Sequence, residues 1–139
     1  MKTIAPAIAI PLVVVALFLF VPGLKERPWT AWRIAGAILA VLGYILVVTA
    51  RVQLGKSFSI APQAKDLVTT GLYSRIRNPM YVFLDIMLIG LAVALHMYWL
   101  LVVVVVLLVA QTIRGRQEAA VLQQKFGQAY LDYRKETWF

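Results

Sequence analysis

The sequence predicts an all-α, polytopic membrane protein with about four transmembrane helices and a cytoplasmic C-terminal amphipathic helix. The composition is the first reason: 62% of the residues are hydrophobic and only 14% are charged, which is far from the average of soluble domains. The second reason is that long apolar runs alternate with polar segments in which most Lys and Arg are found. With 139 residues the chain is predicted to form a single integral membrane domain, 1–139.

Four apolar segments are predicted to cross the membrane, at about 4–22, 29–50, 79–95 and 98–113. The first is expected to be an uncleaved helix, because its apolar run is long for a signal peptide and no small-x-small cleavage site follows it. The last two are near the lower limit of roughly 17 residues for crossing the hydrocarbon core. Only His96 and Met97 join them, which predicts a tight helical hairpin.

Two polar segments are expected to lie outside the membrane. Residues 51–78 are too polar to span and are predicted to form a cytoplasmic connection, with an interfacial stretch around 54–60. Residues 114–135 have apolar side chains at helical spacing, which predicts an amphipathic helix continuing from the fourth span, with a bend or break at Gly127. The positive-inside rule then predicts both termini in the cytoplasm, at the inner membrane if the protein is bacterial.

Composition also limits the partners and cofactors. The chain has no Cys and one His, which argues against a metal site or a thiol nucleophile. Its net charge of +8 would favour nucleic acid in a soluble protein. Because most of these charges flank apolar runs, we expect contacts with membrane lipids and no nucleic acid.

The junction between the polar connection and the third span is the most informative segment, and it reads Gly-Leu-Tyr-Ser-Arg-Ile-Arg-Asn-Pro-Met-Tyr from Gly71 to Tyr81. Pro79 with Asn78 before it predicts a helix start, where Asn78 can cap the helix. Free backbone N–H groups at a helix start bind anions, and two Arg side chains precede this one. The alternative is that these Arg side chains only anchor the chain at the membrane surface.

This segment resembles the sequence pattern of a known family. The run from Leu67 to Tyr81, followed by a helical hairpin, is similar to the integral membrane methyltransferases related to isoprenylcysteine carboxyl methyltransferase and phospholipid N-methyltransferase. A second matching block follows the hairpin and comprises Glu118, Leu122, Phe126, Gly127, Tyr130 and Tyr133. The resemblance covers roughly residues 45–135. It implies S-adenosylmethionine as methyl donor, bound at the cytosolic ends of the third and fourth helices.

The chain departs from the family pattern at three positions. The pattern is commonly Arg-His-Pro-x-Tyr-x-Gly, and here Asn78 occupies the His position and Phe83 the Gly position. Two adjacent Glu are common in the second block, whereas Ala119 follows Glu118 here. Asn78 cannot titrate near neutral pH, and Phe83 fills space that Gly leaves open.

The resemblance and the chemistry of the donor together give a set of candidate cofactor-binding residues. The carboxylate of S-adenosylmethionine would bind cations and helix N–H groups. Its ammonium or ribose would bind an acid, and a Tyr would contact its hydroxyls or stack on its adenine. The set is Tyr73, Arg75, Arg77, Asn78, Pro79, Tyr81 and Glu118. The alternatives are an i, i+4 pair of Glu118 with Arg114, and interfacial Tyr residues without function. Tyr130 and Tyr133 are expected to pack and seat the C-terminal helix.

Asp85 is the only carboxylate inside a predicted span, and it joins Arg77 as a candidate catalytic residue. Acids inside a membrane are expensive and tend to face a cavity or a partner. Asp85 would neutralise an Arg, contact a cationic headgroup or accept a proton from the nucleophile. The alternative is a structural pair with Arg75, Arg77 or a C-terminal Lys.

The predicted function is methyl transfer from S-adenosylmethionine to an oxygen, nitrogen or sulfur of a lipophilic acceptor that enters from the bilayer. One alternative is a small four-helix transporter of cations or drugs that uses Asp85. Another is a non-catalytic membrane scaffold of the same fold. The sequence leaves the acceptor and the oligomeric state open.

Overall fold

The computed structural model describes residues 26–55 and 67–138, and this part of the chain is helical. Helix α1 spans Ala31–Leu54, a 3₁₀ turn spans Gly71–Ser74, α2 spans Pro79–Leu95, α3 spans Leu100–Phe126 and α4 spans Gln128–Glu136. The described residues contain no strand, only one isolated bridge between Ile76 and Trp138. The predicted first span, 4–22, lies outside them, as does most of the predicted interfacial stretch.

Helices α1 and α3 are each long and apolar enough to cross a membrane, and α2 is a shorter apolar helix of 17 residues. Helix α1 continues past the predicted boundary at Ala50 to Leu54. Helix α3 continues unbroken past the predicted boundary at Ile113 to Phe126, because nothing in this stretch interrupts a helix. The break occurs at Gly127, whose φ of 52° is a conformation that favours glycine, as predicted.

The hairpin between α2 and α3 has a compact end. His96 adopts a left-handed conformation with φ 54°, and the Met97 N–H donates to the Ala92 carbonyl at 3.0 Å. This bond satisfies one of the last carbonyls of α2 and turns the chain toward α3. The predicted tight hairpin is confirmed, but residues 96–99 join the two helices, not His96 and Met97 alone, because α3 begins at Leu100.

Helices α1 and α2 approach each other so closely that their backbones touch. A Cβ atom on Gly36 would lie 2.7 Å from the Ala94 nitrogen, and one on Gly43 would lie 2.7 Å from the Met87 nitrogen. Gly90 is equally crowded by the α1 backbone. Small residues allow such contact, which membrane helices use because lipid supplies little hydrophobic drive for association.

Arg33 joins the start of α1 to the end of α2. Its side chain is fully buried, Nε donates to the Ala94 carbonyl at 2.9 Å, and Nη1 donates to the Arg27 carbonyl at 2.6 Å. The guanidinium also lies 4.6 Å from the centre of the Trp29 ring. A cation at the end of α2 is favourable because the last carbonyls of a helix are unpaired and carry partial negative charge.

Helix α4 is seated by two buried tyrosines and by the backbone that precedes α2. Tyr130 and Tyr133 are 3% and 9% exposed, which confirms their predicted packing role. The Tyr133 hydroxyl donates to the Tyr73 carbonyl at 2.6 Å, and the Trp138 N–H donates to the Arg75 carbonyl at 3.0 Å. Burial raises the pKa of Tyr133 to about 12.

Gly36→Ala is expected to destabilise the protein, because the new methyl group meets backbone atoms that can move only if α1 and α2 separate. Overpacking of this kind costs about 1–3 kcal/mol. The thermal midpoint in detergent measures it. Gly115→Ala is the matched control, since a Cβ there would meet only Asn78 Nδ2 at 3.5 Å. Equal midpoints for the two variants would contradict the packing argument.

Tyr133→Phe is expected to lower the free energy of unfolding by about 1–3 kcal/mol, because the Tyr73 carbonyl loses its buried donor. The folded-state pKa of Tyr133 is about 12, above the usual value of about 10. The stability from the protonated hydroxyl is therefore complete below pH 10 and is lost as the pH rises toward 12. The difference between wild type and Tyr133→Phe should shrink over that interval in denaturation followed by circular dichroism. A difference independent of pH would contradict this assignment.

Candidate active site

A cleft of about 220 Å³ runs along α3, between the start of α2 and helix α4. Its α3 wall carries residues at helical spacing, which are Gln111, Gly115, Glu118 and Leu122. The start of α2 contributes Arg77 and Asn78, and α4 contributes Tyr130, Tyr133 and Arg134. Ligand pockets commonly measure about 300–1,000 Å³, so a ligand of cofactor size would fill this cleft and extend beyond it.

Glu118 is the acid of the cleft and is fixed from two sides. The Tyr81 hydroxyl donates to Glu118 Oε1 at 3.0 Å, and Arg114 Nε donates to the same oxygen at 2.8 Å. The bond to Glu118 raises the pKa of Arg114, so the guanidinium stays charged. Within the described part of the chain, Glu118 Oε2 accepts no hydrogen bond from a side chain. The i, i+4 pair that the sequence offered is present, and it orients Glu118 while leaving one oxygen for another donor.

Three arginines give the cleft a positive side. Arg77, Arg116 and Arg134 line it, and the described residues offer none of them an ion-pair partner. Guanidinium groups bind carboxylates and phosphates through charge-assisted hydrogen bonds. Arg75, the other predicted cation, is exposed and does not line the cleft.

Asn78 and Pro79 lie at the start of α2 as predicted, with Pro79 at the first turn and fully buried. Asn78 is in the cap position, but its side chain makes no capping hydrogen bond, so that prediction is wrong. The reason is its backbone conformation. Its ψ is 59°, whereas Thr30, which does cap α1, has the extended ψ of 161° that N-cap residues usually adopt. The Asn78 side chain instead lies near Gly115, across the cleft.

The two predicted tyrosines differ in their relation to the cleft. Tyr73 is 6% exposed and packs beneath α4, and burial raises its pKa above the usual range. It does not line the cleft. Tyr81 reaches the cleft through its hydrogen bond to Glu118. Among the predicted aromatic contacts, the structure therefore brings only Tyr81 to the acid.

Asp85 is buried in α2, and its hydrogen-bond partner is neutral. Gln111 Nε2 donates to Asp85 Oδ1 at 3.2 Å. The structural alternative that the sequence offered, a pair with Arg75, Arg77 or a C-terminal Lys, is absent in the described part of the chain. The reason is that α3 presents Gln111 at the level of Asp85, whereas the arginines lie around the start of α2 and along α4.

Sequence reasoning missed several residues that line the cleft, among them the polar residues Gln111, Thr112, Arg116 and Arg134. A signal for Gln111 was present, because it lies two helical turns before Glu118 and is a polar residue at the end of an apolar run. Arg134 gave no such signal, since its position depends on how α4 turns back after Gly127.

Comparison with known proteins adds an independent finding. A family model described as phospholipid methyltransferase matches residues 31–129, and no curated protein matches the chain. The matched range contains all of α1, α2 and α3, and with them Arg77, Asp85, Gln111 and Glu118. Since it covers well over half of the sequence, the chain belongs to the phospholipid methyltransferase family.

Proposed function

We propose that the protein transfers a methyl group from S-adenosylmethionine to a lipophilic acceptor in the membrane. The observation that carries the proposal is the arrangement of the cleft: Glu118 is held through Oε1, and within the described residues its Oε2 and the three arginines of the cleft have no ion-pair partner. Membership of a methyltransferase family supports the reaction class.

The residues of the cleft fit the chemical groups of this donor. Its carboxylate suits the guanidinium groups, with Arg77 beside the start of α2, where the first N–H groups add positive potential. Its ammonium or ribose hydroxyls suit Glu118 Oε2. The apolar and aromatic part of the cleft wall comes from Ala119, Leu122 and Tyr130.

When bound, S-adenosylmethionine supplies a methyl group activated by its sulfonium, which leaves as a neutral thioether when an acceptor atom bonds to the methyl carbon. The work left to the chain is to align the two reactants and to exclude water. Glu118, oriented by Tyr81 and Arg114, would fix the donor. Leu122 and Ala119 would shield the cleft from water.

The membrane arrangement is part of the proposal. We infer that α1, α2 and α3 cross the bilayer together with the segment 4–22, and that the cleft lies at the cytoplasmic side with both termini. The exposure of apolar residues along α3 supports a lipid-facing surface there, since Val102, Val105 and Val106 are each more than 60% exposed. The cofactor would then enter from the cytoplasm and the acceptor from the bilayer.

S-adenosylmethionine and S-adenosylhomocysteine are expected to bind the detergent-purified protein at micromolar concentration in calorimetry. Arg77→Ala and Glu118→Gln should each weaken binding about tenfold or more, because each removes a charge-assisted contact. Arg75→Ala is the matched comparison. Its side chain lies outside the cleft lining, so it should weaken binding much less than Arg77→Ala.

Folding of each variant is checked by circular dichroism and by thermal unfolding. If the well-folded wild type binds neither compound, the proposed function is wrong. The transporter and the membrane scaffold would then be the remaining alternatives. Binding that Arg75→Ala weakens more than Arg77→Ala would instead show that the cofactor lies outside this cleft.

A further inference from the structure

Gln111 is the cleft residue that contacts the buried Asp85. It is 7% exposed although it lines the cleft, and its Nε2 donates to Asp85 Oδ1 at 3.2 Å. Its Oε1 is buried, and within the described residues it has no hydrogen-bond partner. A buried acceptor without a donor is unfavourable, so a ligand that brings a donor to this wall would gain by supplying the missing bond.

Asp85 determines which end of the Gln111 amide is left over. The NH₂ end of the amide donates to Asp85 Oδ1, so the amide oxygen is the end that remains without a partner within the described residues. A headgroup carrying N–H or O–H can donate to this oxygen, whereas a carboxylate headgroup would bring further acceptors beside it.

Gln111 is separated from the groups assigned to the cofactor, although it lies on the same face of α3. It precedes Glu118 by seven residues, which is about 10 Å along a helix at about 1.5 Å per residue. Gln111 therefore lines a different part of the cleft from Glu118, and it connects the cleft to the buried Asp85, which does not itself line it.

We propose that Gln111 contacts the methyl acceptor and that Asp85 is its positioning residue, so that the pair selects acceptors carrying an N–H or O–H group over carboxylates. This inference rests on the proposed function and names the acceptor class for the same cleft. It assigns Asp85 a role through Gln111, not in contact with the reacting atoms.

The test compares three amphiphiles with the same chain, radiolabelled dodecylamine, dodecanol and dodecanoate, at equal mole fraction in uncharged maltoside micelles. Binding to the purified full chain is measured with saturating S-adenosylhomocysteine, so that its carboxylate occupies the arginines that would otherwise attract the dodecanoate. The amine and the alcohol are expected to bind about tenfold or more tightly than the carboxylate. Gln111→Met keeps the length of the side chain, removes the amide and should abolish the preference.

Two further variants sharpen the result. Asp85→Asn can donate as well as accept, which frees the Gln111 amide to turn, and it should shrink or reverse the preference while Gln111 itself is intact. Gln124→Met makes the same substitution as Gln111→Met at an exposed position of α3 outside the cleft. It should keep the wild-type preference.

Equal binding of the three amphiphiles by the wild type would overturn the inference, and so would a preference that survives in Gln111→Met. Tight binding of the amine alone would show attraction to the Asp85 charge and would overturn the role of Gln111. Calorimetry with S-adenosylmethionine on the same preparations separates the two proposals. Donor binding without headgroup selection removes only this inference, whereas absence of donor binding removes the proposed function.

Discussion

The contact between the α1 and α2 backbones is the constraint on which the candidate site depends. Gly36, Gly43 and Gly90 bring the helices close, and Arg33 bonds the end of α2 to the start of α1. Because the position of α2 sets where Arg77 and Tyr81 lie, a shift of α2 would separate Tyr81 from Glu118. In a bilayer, such fixed geometry must come from packing and hydrogen bonds, since lipid is as apolar as the side chains it would replace.

The second wall of the cleft depends on the chain turning back after α3. Gly127 permits the turn, and the buried Tyr133 then donates to the backbone of Tyr73, just upstream of α2. This bond joins residues 60 positions apart, so it holds α4 across the opening between α2 and α3. Together with the bond from the Trp138 N–H to the Arg75 carbonyl, it positions α4 and with it Arg134 at the cleft. The site is thus assembled from helix ends, and each end is held by a contact to a distant part of the chain.

Local features of the fold were predictable, and distant pairings were not. The hairpin at His96, the break at Gly127 and the pair of Glu118 with Arg114 each depend on residues within a few positions of one another, where spacing and backbone preference suffice. The bonds of Arg33 to Ala94 and of Gln111 to Asp85 join residues 61 and 26 positions apart, and no local pattern encodes them. The error at Asn78 has a related cause: the residue type favours a cap, but its backbone ψ of 59° is not the extended conformation that N-cap residues usually adopt.

The chemistry along α3 bears on how two ligands could share one cleft. Arginines that hold the carboxylate of a methyl donor would also attract a carboxylate acceptor, so such an acceptor would compete with the donor for the same groups. An acceptor bound by the Gln111 amide oxygen would avoid that competition, because its N–H or O–H group needs no arginine. In the proposed arrangement, Gln111 beside a buried acid and Glu118 seven residues later would let one face of α3 bind two different molecules in a fixed order along its length.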